Sequence, residues 1–176
     1  MKPGLAFLCE RRRLRWLACL TTLALLSACA SGPPSRPHEI PGSVPAPPPD
    51  DGARMATQAE KLLGLPYRWG GAGPADFDCS GLVFFAYQQI GERVPRTVAE
   101  QFHAASPVDP NRLRRGDLLF FRESGGDVSH VGIFLGGETF IHAPKSGRAV
   151  EYGSLDDEYY RKNFVSAGTL TPALSR

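Results

Sequence analysis

Only four cysteines occur in the 176 residues and no two are spaced Cys-x-x-Cys, which argues against a disulfide-dense scaffold and a zinc ribbon. Charge of one sign is also missing. The 20 Lys and Arg stand against 18 Asp and Glu, and no basic stripe interleaves with aromatics, so no nucleic-acid partner is expected. Nor is there a phosphate loop, because Gly70-Gly71-Ala72-Gly73 has no Lys-Ser or Lys-Thr behind it. The one sustained apolar run, Trp16 to Ala28, would rise about 20 Å as a helix, short of the roughly 30 Å hydrocarbon core of a bilayer. It does not predict a permanent transmembrane helix. Proline and glycine are plentiful, 16 and 19 residues, and the prolines divide the chain.

Residues 1–28 read as an export signal: Lys2, Arg11, Arg12, Arg13 and Arg15 precede the apolar run, which ends in small residues. The closing Leu26-Ser27-Ala28-Cys29 resembles a bacterial lipobox, in which the cysteine is lipidated and becomes the first mature residue. That resemblance implies a membrane anchor of acyl chains, palmitate among them, on Cys29, with the two or more attachments stable anchoring requires. In such lipoproteins Asp after the cysteine favours the inner membrane. Ala30 stands here, so the expectation is the outer membrane, facing the periplasm. The alternative is an ordinary signal cut near Ala28 or Ala30, leaving Cys29 free. Removing residues 1–28 takes five bases and one acid from the 20 and 18, leaving 15 and 17, so the positive balance belongs to the signal.

Residues 29–52 form the expected tether. Eight of the 16 prolines fall between Pro33 and Pro49 with almost no large apolar residue, a composition that cannot offset the entropy of ordering. An extended Pro-rich chain of this length reaches roughly 70 Å. Residues 53–170 then have the size of one domain, followed by a short tail, 171–176.

Within that domain the pattern changes partway along. Met55, Ala59, Leu62 and Leu63 recur at helical spacing behind Asp50-Asp51, with Gly64 as a stop. A second helix is expected from Cys79, capped by Asp78 and stopping at Gly91. Thr97 to Glu100 has the spacing of a capping box opening a third. After Asp117 the runs are short and strand-like: 118–121, 131–135, 139–141, 149–152 and 164–169. Helices followed by closely connected strands predict an α+β domain, with N-terminal helices packed on an antiparallel sheet.

Cys79 is the only cysteine of the domain, placed where a loop becomes a helix. Unpaired N–H groups and the helix dipole there favour a thiolate, which suits a nucleophile, whereas a buried structural cysteine is the bland alternative. A thiol nucleophile needs a base and an orienting group. Of four histidines, His38 lies in the tether and His103 on the third helix, where a solvent-facing role is expected. His130 opens one strand and His142 closes the next. Direct pairing of the two requires a loop centred on residue 136, such as Leu135 to Gly137, whereas a two-residue loop at Gly136-Gly137 puts them on opposite faces.

Five segments, Pro66-Tyr67-Arg68-Trp69-Gly70-Gly71, Asp78-Cys79-Ser80-Gly81-Leu82-Val83, Arg115-Gly116-Asp117-Leu118-Leu119-Phe120-Phe121, Ser129-His130-Val131-Gly132-Ile133-Phe134-Leu135-Gly136 and Phe140-Ile141-His142-Ala143, together resemble the NlpC-type cysteine peptidases of bacterial cell walls. The resemblance covers nearly all of residues 53–170 and none of the signal or tether. It implies a papain-like domain and a triad of Cys79 as nucleophile, His130 as base and then acid, and His142 as orienting residue. It also implies oxyanion or substrate contacts from Tyr67, Asp78 and Ser80, with N-capping as an equal account of Asp78 and a core aromatic as the plainer account of Tyr67. The implied substrate is the peptide stem or cross-link of peptidoglycan. No cofactor and no metal are expected, and a recruiting protein partner stays unidentified. Three other readings keep the same residues: an amidase or acyltransferase, a non-catalytic wall-binding lipoprotein, and a zinc site of Cys79, His130 and His142.

Overall fold

The computed structural model describes residues 50–123 and 125–171. The expected export signal, Cys29, Ala30, His38 and the expected tether up to Pro49 lie outside the described residues.

Local capping decides where the first three helices begin. Asp50 accepts from the Ala53 N–H and opens α1 (Asp51–Glu60). Asp78 accepts from the Gly81 N–H and opens α2 (Cys79–Gln88). Thr97 and Glu100 form a reciprocal capping box at the start of α3 (Val98–Ala104). Each such cap stabilises its helix by about 1 kcal/mol. Helix α1 stops two residues short of Leu62, and the chain turns through Gly64 at φ 81°.

Six strands follow, all antiparallel to their neighbours: β1 (Ser106–Val108), β2 (Leu118–Phe121), β3 (His130–Gly136), β4 (Thr139–His142), β5 (Glu151–Ser154) and β6 (Phe164–Thr169), in the sheet order β1-β6-β2-β3-β4-β5. β1 is absent from the sequence reading, because Ser106-Pro107-Val108 is too short to show alternation. The strand expected at 149–152 begins later. Ala149 and Val150 pair instead with residues 64–66, which ties the loop carrying Tyr67 to the sheet edge.

Every residue of β2 is buried, so both faces of the sheet are covered. α1 and α2 pack together and onto β3, where Leu118, Phe120, Val131, Ile133 and Ile141 meet Met55, Leu82, Val83 and Ala86. On the other face Leu119, Phe121, Phe134 and Phe140 form a second core. It is closed by Tyr160 of α4 (Glu158–Asn163), a helix the sequence reading leaves out. Its six polar and aromatic residues carry no apolar period. The Phe140 ring lies between glycines: a Cβ at Gly132 or Gly153 would come within 2.6 or 2.4 Å of it.

Candidate functional site

The β3–β4 hairpin brings the two histidines together by an unexpected route. Gly136 pairs with Thr139, leaving the two-residue loop Gly137-Glu138, which alone would set His142 opposite Ile133 on the helix-covered face. A bulge at Leu135 shifts the register by one, so Phe134 pairs with Phe140 and Ile133 with Ile141. Continuing that register sets His142 opposite Gly132, two residues from His130 and on its face. The histidines are diagonal neighbours rather than a direct pair, and His130 Nε2 lies 2.8 Å from His142 Nδ1. Both rings are buried, and Phe140 packs against His142 at a centroid distance of 5.0 Å.

Cys79 is the first residue of α2, and its Sγ lies near enough to the N–H groups of Ser80 and Val131 for them to favour the thiolate. The second contact brings the thiol to the residue after His130. The helix N-terminus alone would lower the thiol pKa. Here burial outweighs it, helped by the neighbouring Asp78 charge, and the thiol is pushed up to about 11. Burial likewise pulls His130 down to about 4. His142 falls to about 3, chiefly through burial and secondarily through the charges of His130 and Arg148. Burial thus favours the neutral thiol and the neutral imidazole, against the thiolate that helix-start placement favours.

Tyr67 is half-buried beside this group. Burial, then the charges of Cys79 and Asp78, raise its phenol pKa, so it remains a hydrogen-bond donor. Asp78 and Ser80 are committed elsewhere. The Asp78 carboxylate accepts from the N–H groups of Gly81 (2.6 Å) and Gly70 (3.0 Å) and from Ser80 Oγ (3.3 Å). The Arg96 guanidinium forks onto both its oxygens, at 3.0 and 2.7 Å, and also reaches Ser80 Oγ at 3.1 Å and the Gly71 carbonyl at 3.0 Å. Gly81 must be glycine here, since a Cβ would stand 1.9 Å from that carbonyl. Arg96 is thus a clamp between the glycine turn at 70–71 and the first turn of α2. Sequence reasoning passed over it; the available signal was that a buried N-cap carboxylate needs a cation.

Three further groups border the histidines. Tyr160 Oη is 3.3 Å from His142 Nε2, Glu151 Oε1 is 3.8 Å from the same nitrogen, and Glu123 Oε2 is 3.9 Å from His130 Nδ1. His103, on the last turn of α3, is exposed and distant in role from this cluster. Among the described residues, no group of three or more His, Cys, Asp or Glu has the arrangement of a metal site, and no helix is long and apolar enough to cross a membrane.

Helices packed on an antiparallel sheet, with Cys79, the one cysteine among the described residues, at the start of α2, place the domain in the papain-like α+β class. Within that class the chain belongs to the NlpC/P60 family, whose profile matches residues 64–169. It is 42% identical over 120 residues to murein DD-endopeptidase MepH of Escherichia coli, covering 65% of this chain and 44% of that one. It is 39% identical over 107 residues to a gamma-D-glutamyl-L-lysine dipeptidyl-peptidase of Bacillus subtilis, covering 60% and 36%. Among solved structures, an NlpC/P60 family protein of Bacillus cereus superposes with a TM-score of 0.64 at 32% identity, covering 69% of this chain and 40% of that one. The NlpC/p60 domain of the peptidoglycan hydrolase SagA gives 0.59 at 36% identity, covering 68% and 98%. The chain spans less than half the length of these two curated relatives.

Proposed function

We propose that this protein is a cysteine-type cell-wall peptidase that cleaves the peptide stems or cross-links of peptidoglycan, held to the outer membrane through lipidated Cys29 and facing the periplasm. The observation that carries the catalytic part is the juxtaposition of the Cys79 thiol with the start of β3, where His130 is hydrogen-bonded to His142.

With both groups neutral at rest, His130 acts as a general base during attack. Its Nδ1, the nitrogen not engaged by His142, takes the thiol proton as the Cys79 Sγ–carbon bond forms. The developing oxyanion is met by the Cys79 backbone N–H at the helix start and by the Tyr67 hydroxyl, each such donor lowering the barrier by about 3 kcal/mol. The same imidazolium then protonates the leaving amine as the peptide C–N bond breaks. A water deprotonated by His130 releases the acyl group and restores the thiol. Asp78, Ser80 and Arg96 act one step back, by fixing the turn and the helix start. Any substrate contact from Asp78 or Ser80 uses capacity left over from that network.

The two curated relatives carry different names, a murein DD-endopeptidase and a gamma-D-glutamyl-L-lysine dipeptidyl-peptidase, so both stems and cross-links are carried as substrates. Mass spectrometry of peptidoglycan digested by the full chain in detergent tests the reading. Wild type should release new peptide fragments and Cys79→Ala none; undiminished release by Cys79→Ala would overturn it.

A further inference from the structure

For His130 to accept a proton, one ring nitrogen must be bare, and the pair of rings allows two arrangements. In one, His130 Nε2–H donates to His142 Nδ1, His142 carries its proton on Nε2, and His130 Nδ1 is free to act as base. In the other, His142 Nδ1–H donates to His130 Nε2, the His142 Nε2 lone pair needs a donor, and His130 holds its proton on Nδ1, where it cannot serve as base. Glu123 Oε2, 3.9 Å from His130 Nδ1, favours the second arrangement, so the groups at His142 Nε2, the far end of the relay, must outweigh it for His130 Nδ1 to be bare.

That nitrogen faces a phenol, which can accept or donate, and a carboxylate, which can only accept and so favours a proton on Nε2. Tyr160 Oη lies at 3.3 Å and Glu151 Oε1 at 3.8 Å. A carboxylate offers only lone pairs, and the Arg148 fork, at 2.5 and 2.6 Å, holds Glu151 in place. The phenol can accept from Nε2–H while turning its own hydrogen elsewhere, and Arg148, Glu151 and Tyr160 all line one cavity of about 490 Å³. The Tyr160 ring is seated edge-on against His142 (5.3 Å, 87°) and Phe140 (4.9 Å, 85°). Its oxygen is therefore fixed by the second core rather than by solvent.

We infer that Tyr160, backed by Glu151, is a positioning residue that sets the tautomer of the His130–His142 pair and so makes His130 Nδ1 the proton-accepting nitrogen. The inference rests on the reading of His130 as the base. It extends the relay to four residues, Cys79, His130, His142 and Tyr160, the last supplied by a helix outside the motifs.

Tyr160→Phe keeps the ring and its packing and removes only the oxygen. Imidazole ¹⁵N spectra of the full chain should show His130 protonated on Nε2 in wild type and a rise of the Nδ1–H form in Tyr160→Phe. On a stem peptide, kcat should fall about 10- to 100-fold with KM within about twofold, since the lost interaction orients a catalytic group without binding substrate. Glu151→Gln, which leaves the Tyr160 ring untouched, should shift the same tautomer balance less far. Unchanged tautomers in both variants, with or without a fall in kcat, would overturn the assignment. A tautomer shift with kcat intact would keep the assignment and overturn His130 as the base, so the two readings fail separately.

Discussion

Removing the Arg96 guanidinium strips four hydrogen bonds from the loop that carries the nucleophile, two of them charge-assisted contacts to Asp78. The Asp78 side chain is only 12% exposed, so in Arg96→Ala its carboxylate stays buried without a cation. Breaking such a pair costs about 3–5 kcal/mol, and the Arg96 side chain's 31% exposure places the loss near the lower end, about 3 kcal/mol. For a domain of this size that corresponds to a melting temperature lower by roughly 10 °C. Arg96→Lys keeps a charge but cannot bridge both carboxylate oxygens, Ser80 and Gly71 at once, and should lose about half as much. The sharper test is the double variant. Asp78→Asn removes the stranded charge while its amide oxygen still caps Gly81, so Arg96→Ala in that background should cost about 2 kcal/mol less than in wild type. Urea unfolding of the four proteins, read at constant m-value, measures the coupling. A cost below about 1 kcal/mol for Arg96→Ala, or strict additivity, would refute the clamp.

Two other consequences follow from burial of the relay. His130 and His142 have folded pKa values of about 4 and 3 against an ordinary 6.5, so the unfolded chain takes up their protons first. Their contribution to stability is complete above about pH 6.5 and is lost as pH falls toward 4, at up to about 1.4 kcal/mol per pH unit for each. Glu123, raised by burial, offsets part of this. Urea unfolding should show a loss of up to about 4 kcal/mol between pH 7 and 5, less what Glu123 returns, that the His130→Asn, His142→Asn double variant largely abolishes. A flat profile in wild type would contradict it. The second consequence concerns the thiol at about 11: alkylation of Cys79 by iodoacetamide should rise about tenfold per pH unit from 7 to 10. A rate already at its plateau at pH 6 would mean a preformed thiolate.

What was legible in the sequence is what is decided locally. Asp78 beside Cys79, and Thr97 three residues before Glu100, carry their capping geometry in their spacing, and the structure reproduces both. β2 and β6 match their expected ranges because the apolar run Leu118–Phe121 is bounded by the charged Asp117 and Arg122, and Phe164–Thr169 starts directly after Asn163. The histidine pair was legible only as a permitted outcome. Which face His142 occupies depends on whether Leu135 is paired or bulged, and Gly136-Gly137-Glu138 suits either loop. Glu151 and Tyr160 were not legible at all, and for Arg96 only the need for some cation beside Asp78 was, not which residue supplies it. Each meets its partner across the fold, at separations of 9 to 25 residues, and Arg93 or Tyr159 would have served as well on composition alone.

The central claim is that Cys79 forms a covalent acyl intermediate with a stem peptide. Acid-quenching the full chain seconds after mixing with a defined stem peptide, followed by intact-mass measurement and peptide mapping, observes that bond directly. The predicted result is an added mass equal to the acyl half of the substrate, located on the peptide containing Cys79, absent in Cys79→Ala and accumulating in His130→Gln only at a strongly reduced rate. Product release by the wild-type chain with no adduct on Cys79 at any quench time, or an adduct of equal yield in Cys79→Ala, would contradict the account.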